Sequence, residues 1–359
     1  MEPRTYAASG VDLARADSIK RRIAQYVEET FNPGVLRPLG LFGGIVEAPG
    51  TNGTLALVAT IDSVGTKVII ASVLGRHEGI GIDLVHHSAN DLLACGAEPL
   101  FFLDYFATAR LEETVLEALV RGMTRACGAL GCSLIGGETA QLPGIYTPGT
   151  YDLAGCMVGV VPVEGIIDGR RIEPGDLVLG LPSDGLHTNG YSLVRAALGL
   201  TGDPQHDRPL LAEVPPWSDR SLGDLLLQPH RCYVPLLRTW LRDSRLHGLA
   251  HITGGGLTGN LSRIVPDGCR IEIDASSWPV PPLFEEVRQR GSISPTEMFR
   301  VFNMGIGFAV IGTPSFIDAL QQALGEGWII GHVVRAERSR VIVHGGMLGT
   351  QILTDSESA

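Results

Sequence analysis

The residues best suited to chemistry in this sequence are acids set beside glycines. Asp62 opens the run Asp62-Ser63-Val64-Gly65-Thr66-Lys67, and Glu138 stands in Gly136-Gly137-Glu138-Thr139. Asp91 closes a series, Asp83, His86, His87, Asn90 and Asp91, that falls within one helical arc of about 140° at 100° per residue. Glycine lets the backbone approach a ligand and frees its amides to face an anion. Carboxylates held near phosphates suit Mg²⁺, one or two per ion. Gathered to ~5 Å, each pair of acids would repel by about 3 kcal/mol at an effective dielectric near 20, a penalty that a divalent cation removes. Plainer roles stay open. Asp62 could cap a helix, the polar arc could be solvated, and Gly-Gly-Glu-Thr could be a structural turn. Exposed helix faces, however, usually carry Glu, Lys or Arg, and this arc has none.

Two further segments could hold a ligand. His187-Thr188-Asn189-Gly190-Tyr191 is a polar run entering a helix, and Thr253-Gly254-Gly255-Gly256 is a glycine turn before another. A glycine turn feeding a helix N-terminus can bind phosphate; His187 alone could equally be a hydrogen-bonded structural histidine. Of 28 basic residues only Lys20 and Lys67 are lysine. A compact ammonium differs from a forked guanidinium at a phosphate, which singles out Lys67; Lys20 belongs to a basic helix face.

Alternating elements must position these groups. Leu55–Ile61 reads as a buried strand and Ile80–Ala94 as a helix, which Pro99 stops before a strand at Leu100–Phe106. An amphipathic helix follows, with Val115, Leu116, Leu119, Val120, Met123, Cys127 and Leu130 on its apolar stripe. Cys132–Ile135 reads as a strand ending at the Gly-Gly turn, and Tyr151–Val161 as another. Glycines and a proline between Val163 and Asp176 mark a domain boundary. Beyond it come strands at Leu177–Leu181 and Ile306–Ile311, a helix from about Asn189, and a Pro-rich surface loop between Thr201 and Pro216. Thr350–Ala359 is polar and expected to fray. Strands alternating with helices indicate an α/β or α+β class.

Composition narrows the function. The 359 residues are 44% hydrophobic and 19% charged, enough for a sizeable core in about two domains. A net charge of −11 argues against nucleic acid or an anionic membrane as partner. No apolar run approaches the ~20 residues of a membrane span, and no basic start with an apolar stretch follows Met1, so a cytoplasmic protein is expected. Six cysteines without a C-x-x-C pair read as reduced thiols. The P-loop, the dinucleotide fingerprint and the G-x-S-x-G elbow are all missing.

Taken together, the segments resemble one family, aminoimidazole ribonucleotide synthetase, or phosphoribosylformylglycinamidine cyclo-ligase. The resemblance rests on Gly10-Val11-Asp12, Asp62–Lys67, Gly81–Val85 with Asn90-Asp91-Leu92, Gly96–Tyr105, Gly136–Ala140 with Pro143-Gly144, His187–Arg195, Ile252–Gly256 and Phe302–Gly307, in that order. It implies two domains, residues 1–166 for ATP binding and dimerisation and 167–345 as an α/β sandwich, with 346–359 a polar tail. In the family the first domain pairs with its dimer mate into a β-barrel. The implied reaction converts formylglycinamidine ribonucleotide and ATP to aminoimidazole ribonucleotide, ADP and phosphate in purine biosynthesis. ATP activates the formyl oxygen as a phosphate ester, and the amidine nitrogen closes the ring.

The resemblance also implies site residues. Asp62, Asp91 and Glu138 would hold Mg²⁺ and phosphate, with Lys67 and Thr66 on phosphate oxygens. Gly40, Phe42 and Gly43 would lie by the nucleotide, together with Gly65, Asp83, Asn90, Gly136 and Gly137. His187 and Asn189 would face the substrate, His187 as a proton carrier, and Thr253, Gly254 and Gly255 would hold the ribose phosphate. Several positions depart from the family pattern: Leu41 and Ser63 replace glycines, Gln141 a glutamate, and Pro229-His230-Arg231-Cys232-Tyr233-Val234-Pro235 a Pro-Thr-Arg, Ile, Tyr-Val-Lys segment. Gln141 removes a carboxylate, which puts a second metal ion in doubt. Selenophosphate synthetase would want a cysteine within Leu36–Val46, and thiamine monophosphate kinase an aspartate at Glu138; neither is present. A dimeric nucleotide-binding homologue without turnover is the reading from another class.

Overall fold

The computed structural model describes residues 4–338 and 340–355. Two sheets organise them, the first built from residues 44–162 and the second from 177–354. In the first, β1 (Gly44–Glu47), β2 (Leu55–Ser63), β5 (Tyr151–Pro162), β3 (Glu98–Thr108) and β4 (Ser133–Gln141) lie in that order. All neighbours are antiparallel except β3 and β4, which the helix α4 (Glu113–Leu130) connects. Pro99 lies inside β3, where the register shifts, so the strand begins before the proline that was expected to precede it. A proline lacks the amide a regular ladder needs, and a bulge accommodates it.

One face of this sheet is covered by α3 (Glu78–Ala94) and α4. Strand β5 alternates buried and half-buried residues along its whole length. Its glycines sit under large neighbours: a Cβ on Gly155 would lie 2.1 Å from Phe102 Cζ, and one on Gly159 2.6 Å from the Glu98 carbonyl. The two helices touch through glycine as well. A Cβ on Gly81 would lie 2.1 Å from the Leu119 carbonyl oxygen, and one on Gly122 2.0 Å from that of Glu78. The other face of the sheet carries exposed Ile61, Tyr105 and Ile135. The sheet is open, and no closed barrel forms among the described residues of this chain.

The second sheet runs β12 (Leu353–Thr354), β11 (Val341–His344), β8 (Cys269–Asp274), β10 (Trp328–Arg335), β6 (Leu177–Pro182), β9 (Ile306–Gly312) and β7 (Leu246–His251). Strands β6, β7 and β9 are almost wholly buried, and β7 packs against α3 of the first unit. The tail differs from expectation. Leu353 is buried and pairs with Val343, so residues 353–354 close the sheet edge instead of fraying; residues 356–359 lie outside those described. The cysteines are free, three buried and three half-buried, and among the described residues no helix is long and apolar enough to cross a membrane.

The α3–α4 contact gives a direct test of the packing. Gly122→Ala should destabilise the fold by about 1–3 kcal/mol, because a methyl must push two backbones apart. Urea unfolding checks this, and an unchanged midpoint would mean that the helices yield freely.

Candidate functional site

The polar arc of α3 is not solvated. It is sealed against residues 228–233 of the second unit. Asp83 Oδ1 accepts the His230 amide at 2.6 Å, and Asn90 both accepts the Tyr233 amide at 2.9 Å and donates to the Arg231 carbonyl at 2.8 Å. His86 Nδ1 lies 2.6 Å from the His230 carbonyl. Asp83 and Asn90 are thus fully buried and engaged by the chain itself, which corrects their expected contact with nucleotide. The side-chain oxygens replace missing secondary-structure partners for an irregular backbone.

Lys67 needs the same correction. It is fully buried at the start of helix α2 (Lys67–Leu74), with Nζ 2.7 Å from Asp83 Oδ2. The ammonium also donates to the carbonyls of Gln228 at 2.8 Å and His187 at 3.2 Å. With its donors directed inward, Lys67 is not positioned to reach a phosphate. Burial pushes the lysine down and the aspartate up, each opposed by the other's charge. The ammonium is enclosed by Asp83 and the Gln228 and His187 carbonyls.

Two of the three acids come together. Asp62, at the end of β2, and Asp91, on α3, hydrogen-bond through their carboxyls. His87 Nε2 lies 3.1 Å from Asp62 Oδ2, and His251 Nδ1, at the end of β7, 2.8 Å from Asp91 Oδ1. Thr60 donates to Asp91 Oδ2 at 3.2 Å. The Asp62 side chain keeps 35% exposure and forms the mouth of the cluster. Burial opposes its charge, yet the His87 imidazolium beside it holds Asp62 down at about 2. Burial likewise opposes charge on His87, but Asp62 first and then Asp91 lift it to about 9. Burial raises Asp91, and the neighbouring Asp62 charge adds to this against the pull of His87. These opposite shifts leave the proton of the pair on Asp91 and the charge on Asp62.

Glu138 does not join them. The strand containing it runs on to Gln141, so Gly136-Gly137-Glu138-Thr139 is edge strand and not a turn. Glu138 pairs with Tyr105, and both are exposed, Tyr105 on the helix-free face. Asp62 belongs to the next row, with Gly155 and Asp104, and its side chain meets α3 through His87. Three strand spacings of about 4.8 Å put some 14 Å between the two backbones. Gly136 and Gly137 share the edge strand and lie equally far from the acid pair; Gly137 lets Asp104 approach, its Cβ position being 2.4 Å from Asp104 Oδ1.

The remaining candidates surround the seam between the two units. Gly65 turns at φ +66, and the Thr66 and Ser192 hydroxyls lie 3.1 Å apart, tying the β2–α2 turn to α5 (Tyr191–Leu198). Asn189 is half-buried beside Gly254, whose Cβ would lie 3.3 Å from Asn189 Oδ1. Gly255 adopts φ +97, whereas the Thr253 hydroxyl is engaged by Asn260 at 3.1 Å. Gly40, Phe42 and Gly43 line a groove of about 350 Å³ that reaches Thr60. Phe42 is buried under Arg263, 4.9 Å from the ring centre.

His187 is buried in left-handed backbone at φ +59 and stacks on His230 at 3.9 Å. Burial first, then the cationic side chains around it, push its basicity well below normal. Its Nε2 accepts the Asp184 amide at 3.1 Å, so the neutral ring carries its proton on Nδ1, which has no partner. Lacking a free lone pair, it cannot accept a proton in this arrangement, contrary to the expected carrier role. Sequence reasoning missed the roles of His87, His230 and His251. His87 was visible on the arc, His230 as a departure and His251 just before the glycine turn, but nothing local announced that they meet.

Comparison with known proteins places the fold. The model of the AIR synthase related protein N-terminal domain matches residues 43–161, and that of its C-terminal domain residues 173–344. The chain belongs to the AIR synthase related family. It is 46% identical to the phosphoribosylformylglycinamidine cyclo-ligase of Myxococcus xanthus over 93% of this chain and 96% of that protein. With the protein of that name from Thermosynechococcus vestitus it shares 44% identity, over 92% and 96%. Among solved structures, T. maritima PurL complexed with FGAR aligns with a TM-score of 0.61 at 16% identity, covering 92% of this chain and 49% of that one. Thiamine-monophosphate kinase from Stenotrophomonas maltophilia aligns at 0.58 and 20%, covering 94% and 98%. At such identities these structures share the fold of this family member and no more.

The buried pair is open to a stability test. Lys67→Met should cost about 3–5 kcal/mol by stranding Asp83, and adding Asp83→Leu should restore only part of it, because the His230 amide and the Gln228 and His187 carbonyls then lack partners. Denaturant titration measures both; a double variant no more stable than the single one would show that the charges are independent.

Proposed function

We propose that this chain catalyses the ATP-dependent cyclisation of formylglycinamidine ribonucleotide to aminoimidazole ribonucleotide, with release of ADP and phosphate. Similarity to the curated cyclo-ligases across more than nine-tenths of the chain supports the reaction. The observation that carries the reading on this chain's own residues is the Asp62–Asp91 pair, which lies at the mouth of the seam with an ionised, partly exposed carboxylate. On this reading residues 1–166 bind nucleotide and pair with a second copy, and 167–345 complete the cleft.

In the reaction ATP transfers its terminal phosphoryl group to the formyl oxygen, the amidine nitrogen attacks the activated carbon, and phosphate leaves as the ring closes. No protein nucleophile is needed, so positioning and charge neutralisation carry the catalysis. The groove at Gly40, Phe42, Gly43 and Thr60 is the nucleotide's place, because Thr60 links it directly to Asp91. Asp62 and Asp91 would hold the divalent ion, Mg²⁺ in the family, and that ion would neutralise the triphosphate. Asn189, Gly65, Thr66, Gly254 and Gly255 border the substrate side, while Lys67 and His187 position this wall from behind. Fixing the His187 carbonyl through Lys67 holds the left-handed turn that leads into Asn189.

ADP release with and without formylglycinamidine ribonucleotide tests the activity. Turnover should depend on that substrate, and Asp62→Asn should lower it by about 10²-fold. Nucleotide binding without substrate-dependent release would favour the inactive homologue. The helix-free face of the first sheet, with Ile61 at 73% and Ile135 at 60% exposure, is the surface for a second copy. Large apolar patches on a sheet call for cover. Ile61→Asp should turn a dimer into a monomer in analytical ultracentrifugation, and an unaltered dimer would move the interface elsewhere.

A further inference from the structure

Five of the ten histidines, His86, His87, His187, His230 and His251, gather in the seam beside the Asp62–Asp91 pair. His87, Asp91 and His251 each offer a ligand atom within 4.8 Å of the others, and Asp62 lies at the edge of that trio, 3.1 Å from His87. The contacts within the set are 3.1 Å for His87 with Asp62 and 2.8 Å for His251 with Asp91. Nitrogen and oxygen donors on a tetrahedral ion at 2.0–2.2 Å stand about 3.3–3.6 Å apart. Parting each of these close pairs by about 0.2–0.8 Å would give them that spacing.

The surrounding shell suits that role. Metal-bound histidines usually have their other ring nitrogen fixed by a protein acceptor. His87 Nδ1 lies 2.8 Å from the Thr188 hydroxyl, and His251 Nε2 3.0 Å from His230 Nε2. The Thr60 hydroxyl orients Asp91. The neighbouring trio His187, His230 and His251 is also close enough to hold an ion, but it is excluded by His187, whose Nε2 is occupied by the Asp184 amide and whose Nδ1 bears the proton.

We propose that Asp62, His87, Asp91 and His251 form a site for a borderline divalent transition ion of the Zn²⁺ class, bound in preference to Mg²⁺. Mg²⁺ demands an octahedral shell of oxygens, whereas imidazole donors favour zinc, cobalt and iron. This deepens the reading that the Asp62–Asp91 pair holds the divalent ion of the reaction, and rests on it.

The test titrates the metal-depleted full chain with Co²⁺ alone, follows its visible d–d absorption, and repeats the titration with Mg²⁺ as competitor. Co²⁺ should bind at least about 10²-fold tighter than Mg²⁺, with the intense bands of a nitrogen-containing, low-coordinate site. His87→Gln and His251→Gln should each weaken Co²⁺ by about 10–100-fold and weaken Mg²⁺ by less. Circular dichroism checks their folding; should either fail to fold, Thr188→Val, which removes the hydroxyl shared by His87 and His230, should still weaken Co²⁺ severalfold. Co²⁺ no tighter than Mg²⁺, or unaffected by the folded variants, overturns the proposal. Asp62→Asn separates the two levels: if the unaltered chain binds Co²⁺ no tighter than Mg²⁺ and the variant loses Mg²⁺, the acid pair remains the ion holder and only the metal preference falls, whereas a variant that binds both ions as the unaltered chain does sinks the acid pair itself.

Discussion

The rest of this structure depends on the burial of a polar helix face. Helix α3 presents Asp83, His87, Asn90 and Asp91 not to water but to the second unit, and each polar group there meets a partner from another part of the chain. Stranding such groups in the interior costs on the order of 1–3 kcal/mol apiece, so the seam closes only in the register that satisfies them. Apolar helix faces can slide against one another; Asn90, which both donates to residue 231 and accepts from residue 233, permits one alignment. The polar seam therefore fixes where His251 and the turn after it sit relative to Asp62.

The same enclosure sorts the charges. At the inner end Lys67 and Asp83 neutralise one another out of reach of solvent. At the outer end Asp62 stays ionised because His87 carries the compensating charge, while Asp91 is driven towards neutrality. Spacing along one rigid helix achieves this. His87 and Asp91 stand one turn apart on the same face of α3, so both reach the end of β2 without any loop having to order itself.

Strand and helix positions in the first unit were legible because the apolar period changes cleanly between Leu55–Ile61 and Ile80–Ala94. The site was half legible. Acid and glycine patterns singled out Asp62 and Asp91, which meet, and Asn189 and Gly254, which lie beside one another, while Thr66 contacts Ser192. Glu138 was misplaced because two glycines read locally as a turn, whereas pairing with β3 extends the strand through them. Lys67 misled for a related reason. A lysine after a glycine-rich turn has the same local pattern whether its ammonium meets a phosphate or a buried aspartate, and only tertiary packing distinguishes the two. The short β12 strand escaped notice since two residues carry no period.

Building the site from both units has a mechanistic consequence. Asp62 and the Gly65–Thr66 turn come from the first sheet, His251 and Gly254 from the end of β7, and Asn189 from the turn before α5. None of these groups is displayed by either unit alone in the geometry described, because His251 is aligned by Asp91 and the His187 turn by Lys67. Left-handed backbone at His187 is costly for a residue with a side chain, and the Lys67 ammonium and Asp184 amide are what hold it there. A reaction that proceeds by orienting two reactants rather than by covalent attack needs walls that do not drift. The polar seam supplies that rigidity where an apolar interface of equal area would not.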